Sequence, residues 1–191
     1  MILVGIDEVG RGCWAGPLVA GAVILPEGFD PKPLSIKVRD SKKLSKQQRD
    51  AASAWIHEHA IAIGLGWVEP AEVDELGLTE SVRLAMERAL AKIQVDYDEV
   101  IIDGNINYFP DNPKARAVIK ADDSVPSVSA ASIVAKVARD TYMTEISSKY
   151  AGYGFEKHVG YGTAAHIAAL RSFGVTDIHR LSYKPVRALL S

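Results

Sequence analysis

Short apolar runs rich in Val and Ile alternate along the chain with segments whose apolar residues recur every three or four positions. The short runs are bounded by Gly, Pro or acidic residues, a pattern typical of β-strands. We predict strands at 2–7, 18–25, 35–38, 62–68, 99–103 and 115–120. The three- to four-residue spacing instead indicates helices. We predict helices after a cap at Ser45, from Pro70 to Gly77, after a cap at Thr79, over 127–150 and over 164–172.

The order of these elements predicts an α/β fold. The first strands form a meander, and helices and strands then alternate. We therefore expect a mixed sheet with an antiparallel half and a βαβ half, covered by helices. A fully parallel, doubly wound sheet is the alternative, but the helix-free stretch 9–40 disfavours it. The chain has no repeat and no linker, so we predict one domain over 1–191, with about 150–191 as its helical C-terminal extension.

Composition narrows the class of protein. The chain is 48% hydrophobic with a formal net charge of -2, as in globular proteins, and no apolar run approaches the ~18 residues of a membrane helix. The N-terminus lacks the basic region and the cleavage site of a signal peptide. The single cysteine, Cys13, excludes an internal disulfide and a thiolate zinc site, and we expect a cytoplasmic protein.

Charge is unevenly distributed along the chain. Segment 51–100 carries a net charge of -7, whereas 1–50 carries +2 and 151–191 carries +3. This distribution excludes a uniformly basic protein but leaves room for a nucleic-acid-binding face built from the two basic ends.

Acidic residues lie where predicted strands end. Asp7 and Glu8 end the first strand, Asp103 ends a later one, and Asp122 and Asp123 lie between the strand at 115–120 and the long helix. Any one of them alone is better explained as a solvated loop residue. Together, at the carboxyl ends of neighbouring strands, they would converge. Such oxygen ligands suit Mg²⁺ or Mn²⁺, and two such ions about 4 Å apart suit in-line phosphodiester hydrolysis.

Two segments next to these acids are candidate substrate contacts. In Gly10-Arg11-Gly12, the glycines would let the backbone approach a ligand while the guanidinium reaches a phosphate. Taken alone, this segment is better explained as a plain turn. Lys42 and Lys43 precede a predicted helix start, where phosphate binds readily, although a solvated helix end explains them equally well. The five histidines show no spacing typical of a zinc site.

Seven motifs occur in a fixed order. They are GIDEVGRG at 5–12, DSKKLS at 40–45, IIDGN at 101–105, KAD at 120–122, SAASIVAKVARD at 129–140, HVGYGT at 158–163 and HRLSYKPV at 179–186. With them the sequence resembles ribonuclease HII, the type 2 ribonuclease H, over nearly the whole chain. The resemblance implies a ribonuclease H-like fold: a central five-stranded mixed sheet flanked by helices, with a small helical C-terminal part.

The resemblance also implies an activity and a set of site residues. The enzyme would hydrolyse the RNA strand of RNA–DNA hybrids and cut 5′ of a single ribonucleotide in duplex DNA, using Mg²⁺ or Mn²⁺ and leaving a 3′-hydroxyl and a 5′-phosphate. The implied catalytic, metal-binding acids are Asp7, Glu8, Asp103 and Asp122. The implied substrate contacts are Gly10, Arg11, Gly12, Tyr161, Lys42 and Lys43.

Each implied substrate contact has its own role. Gly10, Arg11 and Gly12 would read the ribose 2′-hydroxyl, and Tyr161 would pack on the adjacent deoxyribose. The register of the KAD motif favours Asp122 over Asp123 as the fourth acid.

Three positions depart from the family pattern. Cys13 stands where proline is frequent, Val159 where lysine is common and Tyr183 where phenylalanine is usual. The chain starts at the first strand and ends at Ser191, so we expect neither an N-terminal substrate-binding domain nor a clamp-binding tail. The expected partner is nucleic acid, with no membrane association, and we expect a monomer.

Two other functions stay open at this point. The first is a different metal-dependent nuclease of the same fold, such as a junction resolvase, but such an enzyme has no need of a ribose-reading Gly10-Arg11-Gly12 segment or of Tyr161. The second is a nucleic-acid-binding protein without catalysis. Four carboxylates argue against it because they would weaken phosphate binding in the absence of metal.

Overall fold

The computed structural model describes residues 1–29 and 44–190, arranged around one five-stranded sheet. The predicted strand at 35–38 and the candidate phosphate contacts Lys42 and Lys43 lie outside the described residues. The strands are β1 (Leu3–Val9), β2 (Leu18–Ile24), β3 (Ala62–Val68), β4 (Glu99–Asp103) and β5 (Ala115–Val118). Their order across the sheet is β3-β2-β1-β4-β5.

The sheet is mixed, as the order of elements predicted. β2 is antiparallel to both β1 and β3, whereas β1, β4 and β5 run parallel to one another. In the register of the central pair, Ile6 lies beside Ile102. This pairing brings the carboxyl end of β1, with Asp7 and Glu8, next to the end of β4, with Asp103.

Helices cover both faces of this sheet. Their bounds are α1 (Lys46–His59), α2 (Pro70–Leu76), α3 (Leu78–Leu90), α4 (Ala121–Ser124), α5 (Pro126–Ile146), α6 (Phe155–His158), α7 (Ala164–Phe173) and α8 (Lys184–Arg187). A 3₁₀ turn over Ser147–Tyr150 completes the segment that we predicted as one helix to residue 150. No helix in the described ranges is both long and apolar enough to cross a membrane.

The helix starts illustrate which local signals can be read from sequence. Ser45 forms the expected capping box with Gln48 at the start of α1. The predicted cap at Thr79 is wrong, because α3 begins at Leu78 directly after Gly77. Gly77 adopts φ +76°, which turns the chain sharply between α2 and α3, and its carbonyl accepts the Ser81 hydroxyl at 2.7 Å.

The long helix α5 packs closely across β1. A Cβ on Gly5 would lie 2.2 Å from the backbone of Ser127, so only glycine permits this approach. Farther along α5, Met143 packs with Phe155 and Leu170 of the C-terminal helices in a separate hydrophobic cluster. The same rigid helix therefore lies beside the acids of β1 and supports the C-terminal segment.

Candidate active site

Three of the four predicted acids line one cavity at the edge where β1 and β4 end. The cavity has a volume of about 420 Å³ and includes Asp7, Glu8 and Asp103, which we call the carboxylate edge. Asp7 is only 7% exposed. The parallel pairing of β1 with β4 brings these side chains together, as the positions of the acids at strand ends predicted.

The carboxylate edge is electrostatically strained. Burial, together with the negative charges of Glu8 and Asp103, raises the pKa of Asp7 to about 8. A hydrogen bond from the Ser132 side chain and one from the Glu8 backbone N–H (2.8 Å) oppose the shift. Burial also raises the pKa of Glu8, against the effect of Arg11, whose Nη1 lies 3.1 Å from Glu8 Oε1. The edge therefore favours binding of a cation, which would offset the repulsion.

Asp103 also organises the segment that carries the fourth predicted acid. Its Oδ1 accepts the backbone N–H of Ala121 at 2.8 Å and that of Asp122 at 3.4 Å, at the start of α4. Asp122 is half-buried, whereas Asp123 is exposed. Asp122 thus lies next to the carboxylate edge in the chain fold, although it is not among the residues that line the cavity.

The predicted glycine-rich segment lines the same cavity, next to the carboxylate edge. We call residues 10–17 the arginine-held loop, because two fully buried arginines bind its carbonyl groups. Arg139 of α5 donates to the carbonyls of Ala15 (3.0 Å) and Pro17 (2.8 Å). Arg180 donates to the carbonyl of Gly16 through Nε (3.1 Å) and Nη2 (2.9 Å).

Tyr161, which the resemblance implied as a contact to the adjacent deoxyribose, also lines the cavity. Its ring is partly exposed and lies 5.3 Å from Nζ of Lys136, while its backbone bridges to Cys13 of the arginine-held loop. Burial raises the pKa of Tyr161 to about 12, so the hydroxyl stays protonated at neutral pH.

Three further polar or charged residues line the cavity, of which Ser132 and Lys136 were not predicted as site residues from the sequence. Ser132 and Lys136 are four residues apart on α5 and face the cavity, and Arg49 of α1 lines it as well. The signal that could have found the first two is the i, i+4 spacing within the SAASIVAKVARD motif, which puts both side chains on one helix face.

A histidine cluster lies beneath Tyr161. The rings of His158 and His166 stack at 4.6 Å, and Nε2 of His166 lies 3.0 Å from Nε2 of His179. Nδ1 of His166 lies 2.9 Å from the carbonyl of Tyr161. Burial lowers the pKa of His166, and burial together with the neighbouring His166 lowers the pKa of His179 to about 4. His166 and His179 are therefore neutral at physiological pH, and His166 holds the backbone carbonyl of Tyr161.

The donor chemistry of the carboxylate edge fits a divalent metal ion. Over residues 1–29 and 44–190, no three His, Cys, Asp or Glu side chains are arranged so that they could hold an ion by themselves. Mg²⁺ commonly takes only one or two protein carboxylates and completes its shell with water and substrate phosphate. Asp7 and Asp103 offer two carboxyl groups side by side, and the burial and neighbouring charges that raise the pKa of Asp7 would be offset by an ion that binds together with a phosphate.

Comparison with known proteins identifies the family. The family model described as Ribonuclease HII matches residues 4–186. The chain is 45% identical to the ribonuclease HII of Dichelobacter nodosus over 190 residues, covering 99% of this chain and 97% of the relative. It is 46% identical to the ribonuclease HII of Nitrosococcus oceani over 186 residues, covering 97% and 90%.

Among solved structures, the ribonuclease H2 of Pyrococcus horikoshii matches with a TM-score of 0.82 and 26% identity, covering 99% of this chain and 97% of the other. This match confirms the ribonuclease H-like fold that the motifs implied. Because the family model and both relatives cover nearly the whole chain, the chain belongs to the ribonuclease HII family and is a ribonuclease of the ribonuclease H type.

Proposed function

We propose that the protein hydrolyses the RNA strand of RNA–DNA hybrids and also cuts 5′ of a single ribonucleotide in duplex DNA, leaving a 3′-hydroxyl and a 5′-phosphate. Family membership supports endoribonuclease activity on hybrids. The observation that carries the finer proposal is that one cavity combines the carboxylate edge with Gly10, Arg11, Gly12 and Tyr161. A reaction centre and a candidate reader of the sugar therefore lie side by side.

The carboxylate edge would supply the chemistry. Asp7 and Asp103 would hold Mg²⁺ or Mn²⁺, assisted by Glu8 and Asp122. A divalent ion in such a site stabilises charge on the phosphoryl oxygens and lowers the pKa of a bound water, and the donor set suits the two-metal arrangement of phosphodiester hydrolysis. The side chains themselves would place the scissile phosphate at the end of β1 and keep bulk water away from buried Asp7.

The basic residues and the glycine-rich segment of the same cavity would bind the substrate. Arg11, Arg49 and Lys136 supply positive charge for backbone phosphates, so affinity should fall with rising salt concentration. Glycine allows the loop backbone to approach the ribose, whose 2′-hydroxyl distinguishes RNA from DNA. Tyr161 would pack against the following deoxyribose. The phosphate contacts of Lys42 and Lys43 remain predictions outside the described residues.

A cleavage assay tests this proposal. Matched duplexes with no, one or many ribonucleotides are incubated with Mg²⁺, with Mn²⁺ or with a chelator, and product ends are mapped. We expect cleavage of the hybrid and of the single-ribonucleotide duplex in metal only, and none of the all-DNA duplex.

Two outcomes of this assay would contradict the proposal. Cleavage of hybrids without cleavage at a lone ribonucleotide would contradict the junction specificity. Cleavage of a four-way DNA junction without regard to ribose would instead identify a resolvase.

A further inference from the structure

The carbonyl group of Arg11 accepts hydrogen bonds from two side chains of the C-terminal segment. The Tyr183 hydroxyl donates to it at 2.5 Å, and Nη1 of Arg180 donates to it at 3.2 Å. The same Nη1 donates to the Tyr183 hydroxyl at 2.8 Å. The three groups form a closed, charge-assisted set of hydrogen bonds that fixes the direction of the Arg11 carbonyl.

These hydrogen bonds determine the direction in which the backbone N–H of Gly12 points. In a planar trans peptide, the carbonyl of one residue and the N–H of the next face opposite sides. Because the Arg11 carbonyl faces Tyr183, the Gly12 N–H faces away from Tyr183. Gly12 itself lines the catalytic cavity.

The two glycines of the segment are needed for different reasons. Gly10 adopts φ +91°, and a Cβ there would lie 2.5 Å from Nε of Arg139, so the protein itself requires glycine. A Cβ on Gly12 would meet no described heavy atom within 4 Å, and its backbone is not in the left-handed region. The fold does not explain glycine at position 12, whereas close approach of a ligand to this backbone does.

We propose that Tyr183, together with buried Arg180, is a positioning residue for ribose recognition: it orients the Arg11–Gly12 peptide so that the Gly12 N–H faces the sugar. This inference rests on the proposed function of the Gly10-Arg11-Gly12 segment. Tyr183 acts through the peptide and makes no contact with the reacting atoms.

The C-terminal turn that carries Tyr183 is itself firmly held. The carboxylate of Asp74 on α2 accepts three hydrogen bonds from this turn. They come from the backbone N–H of Leu181 (2.8 Å), the backbone N–H of Ser182 (2.9 Å) and the Ser182 hydroxyl (2.5 Å). The Tyr183 ring packs against the main hydrophobic core and lies 5.2 Å from the Arg180 guanidinium. Phenylalanine at this position would keep the ring contacts and lose only the hydroxyl.

Tyr183→Phe tests the proposal, with Tyr153→Phe as a matched control. The Tyr153 hydroxyl also donates to a backbone carbonyl, that of Gly174 at 2.6 Å, in the same C-terminal segment but away from the arginine-held loop. Each protein is titrated, with Ca²⁺ in place of Mg²⁺, against a labelled duplex containing one ribonucleotide and against the identical all-DNA duplex. The readout is the ratio of the two Kd values, with Tm measured in parallel.

We expect wild type to prefer the ribonucleotide duplex, and Tyr183→Phe to reduce that preference about three- to tenfold, the range of one lost hydrogen bond. Tyr153→Phe should keep the wild-type ratio at a similar loss of Tm. An unchanged ratio in Tyr183→Phe, or an equal loss in both variants, would overturn the positioning role. A wild type without ribose preference would instead overturn the proposed function, and the positioning role with it.

Discussion

The carboxylate edge and the arginine-held loop are neighbouring regions that differ in how their buried charged groups are compensated. On the carboxylate edge, the charges of Glu8 and Asp103 add to burial in raising the pKa of Asp7, so the protein leaves this side short of positive charge. Around the arginine-held loop, Arg139 and Arg180 are fully buried, yet backbone carbonyls accept their N–H groups. The carboxylate edge is suited to binding and releasing cations, whereas the arginine-held loop is suited to keeping one conformation.

Neutralising the carboxylate edge should have the largest effect. We expect Asp7→Asn or Asp103→Asn to lower kcat at least about 10²- to 10³-fold, because each removes a proposed metal ligand and the charge that it supplies. Unfolding of the metal-free Asp7→Asn protein should occur at about the same temperature as wild type or higher, since asparagine replaces a buried carboxyl group that is costly to ionise with an uncharged group of similar size. Single-turnover cleavage and thermal unfolding measure the two effects. Substantial Mg²⁺-dependent activity in either variant would argue against the assignment.

Breaking the arginine-held loop should cost stability first. Arg139→Met leaves three carbonyl groups without their donor, at Ala15, Pro17 and Val159. We expect the free energy of unfolding to fall by about 3 kcal/mol, measured by urea titration at neutral pH. Arg83→Met, which removes an exposed arginine that pairs with carboxylates on its own helix, is the control and should change stability little. Equal losses of stability in Arg139→Met and Arg83→Met would contradict the special role of buried arginine in the arginine-held loop.

The boundary of the carboxylate edge can be sharpened at two adjacent acids. Asp122→Asn should lower activity about tenfold or more, because Asp122 follows the backbone group that Asp103 anchors. Asp123 is exposed, so Asp123→Asn should stay close to wild type in the same cleavage assay. A larger loss from Asp123→Asn would show that the assignment is out of register by one residue.

The histidine cluster gives the smallest effect and a pH-dependent one. The pKa of His179 is lowered from its ordinary 6.5 to about 4. Between these values the unfolded chain binds a proton that the folded chain does not, so stability falls as the pH drops from 6.5 towards 4. We expect His179→Gln to flatten this decline by about 1 kcal/mol between about pH 6.5 and 5.5 in urea titrations. The exposed His57 lies outside the cluster, and an equal flattening by His57→Gln would contradict this explanation.

The carboxylate edge could be predicted from sequence because its signals are local. Asp7 and Asp103 each end an apolar run, and the order of elements is enough to make those strands parallel neighbours. Helix α4 was missed because four residues are too few for periodicity, and because Asp103, eighteen residues earlier, anchors its start.

The arginine-held loop could not be predicted in the same way. The carbonyl groups that Arg139 and Arg180 bind within this loop, at Ala15, Gly16 and Pro17, lie more than one hundred residues away in the chain. Nothing in the local sequence distinguishes a buried arginine from a solvated one. Two of the seven motifs contain these arginines, one each, but only the tertiary structure shows which carbonyl groups they bind.

The hydrogen bonds of the histidine cluster run in a single direction. Thr176 N–H donates to Nδ1 of His179, so the proton of this neutral ring is on Nε2 and is donated to Nε2 of His166. His166 then carries its own proton on Nδ1 and donates it to the carbonyl of Tyr161. Each of the two rings has one allowed tautomer, and neither can reverse alone. An added proton can enter only at Nδ1 of His179 or at Nε2 of His166, where it displaces the bond from Thr176 or the bond between the two rings, whereas the bond from His166 to the Tyr161 carbonyl survives either event.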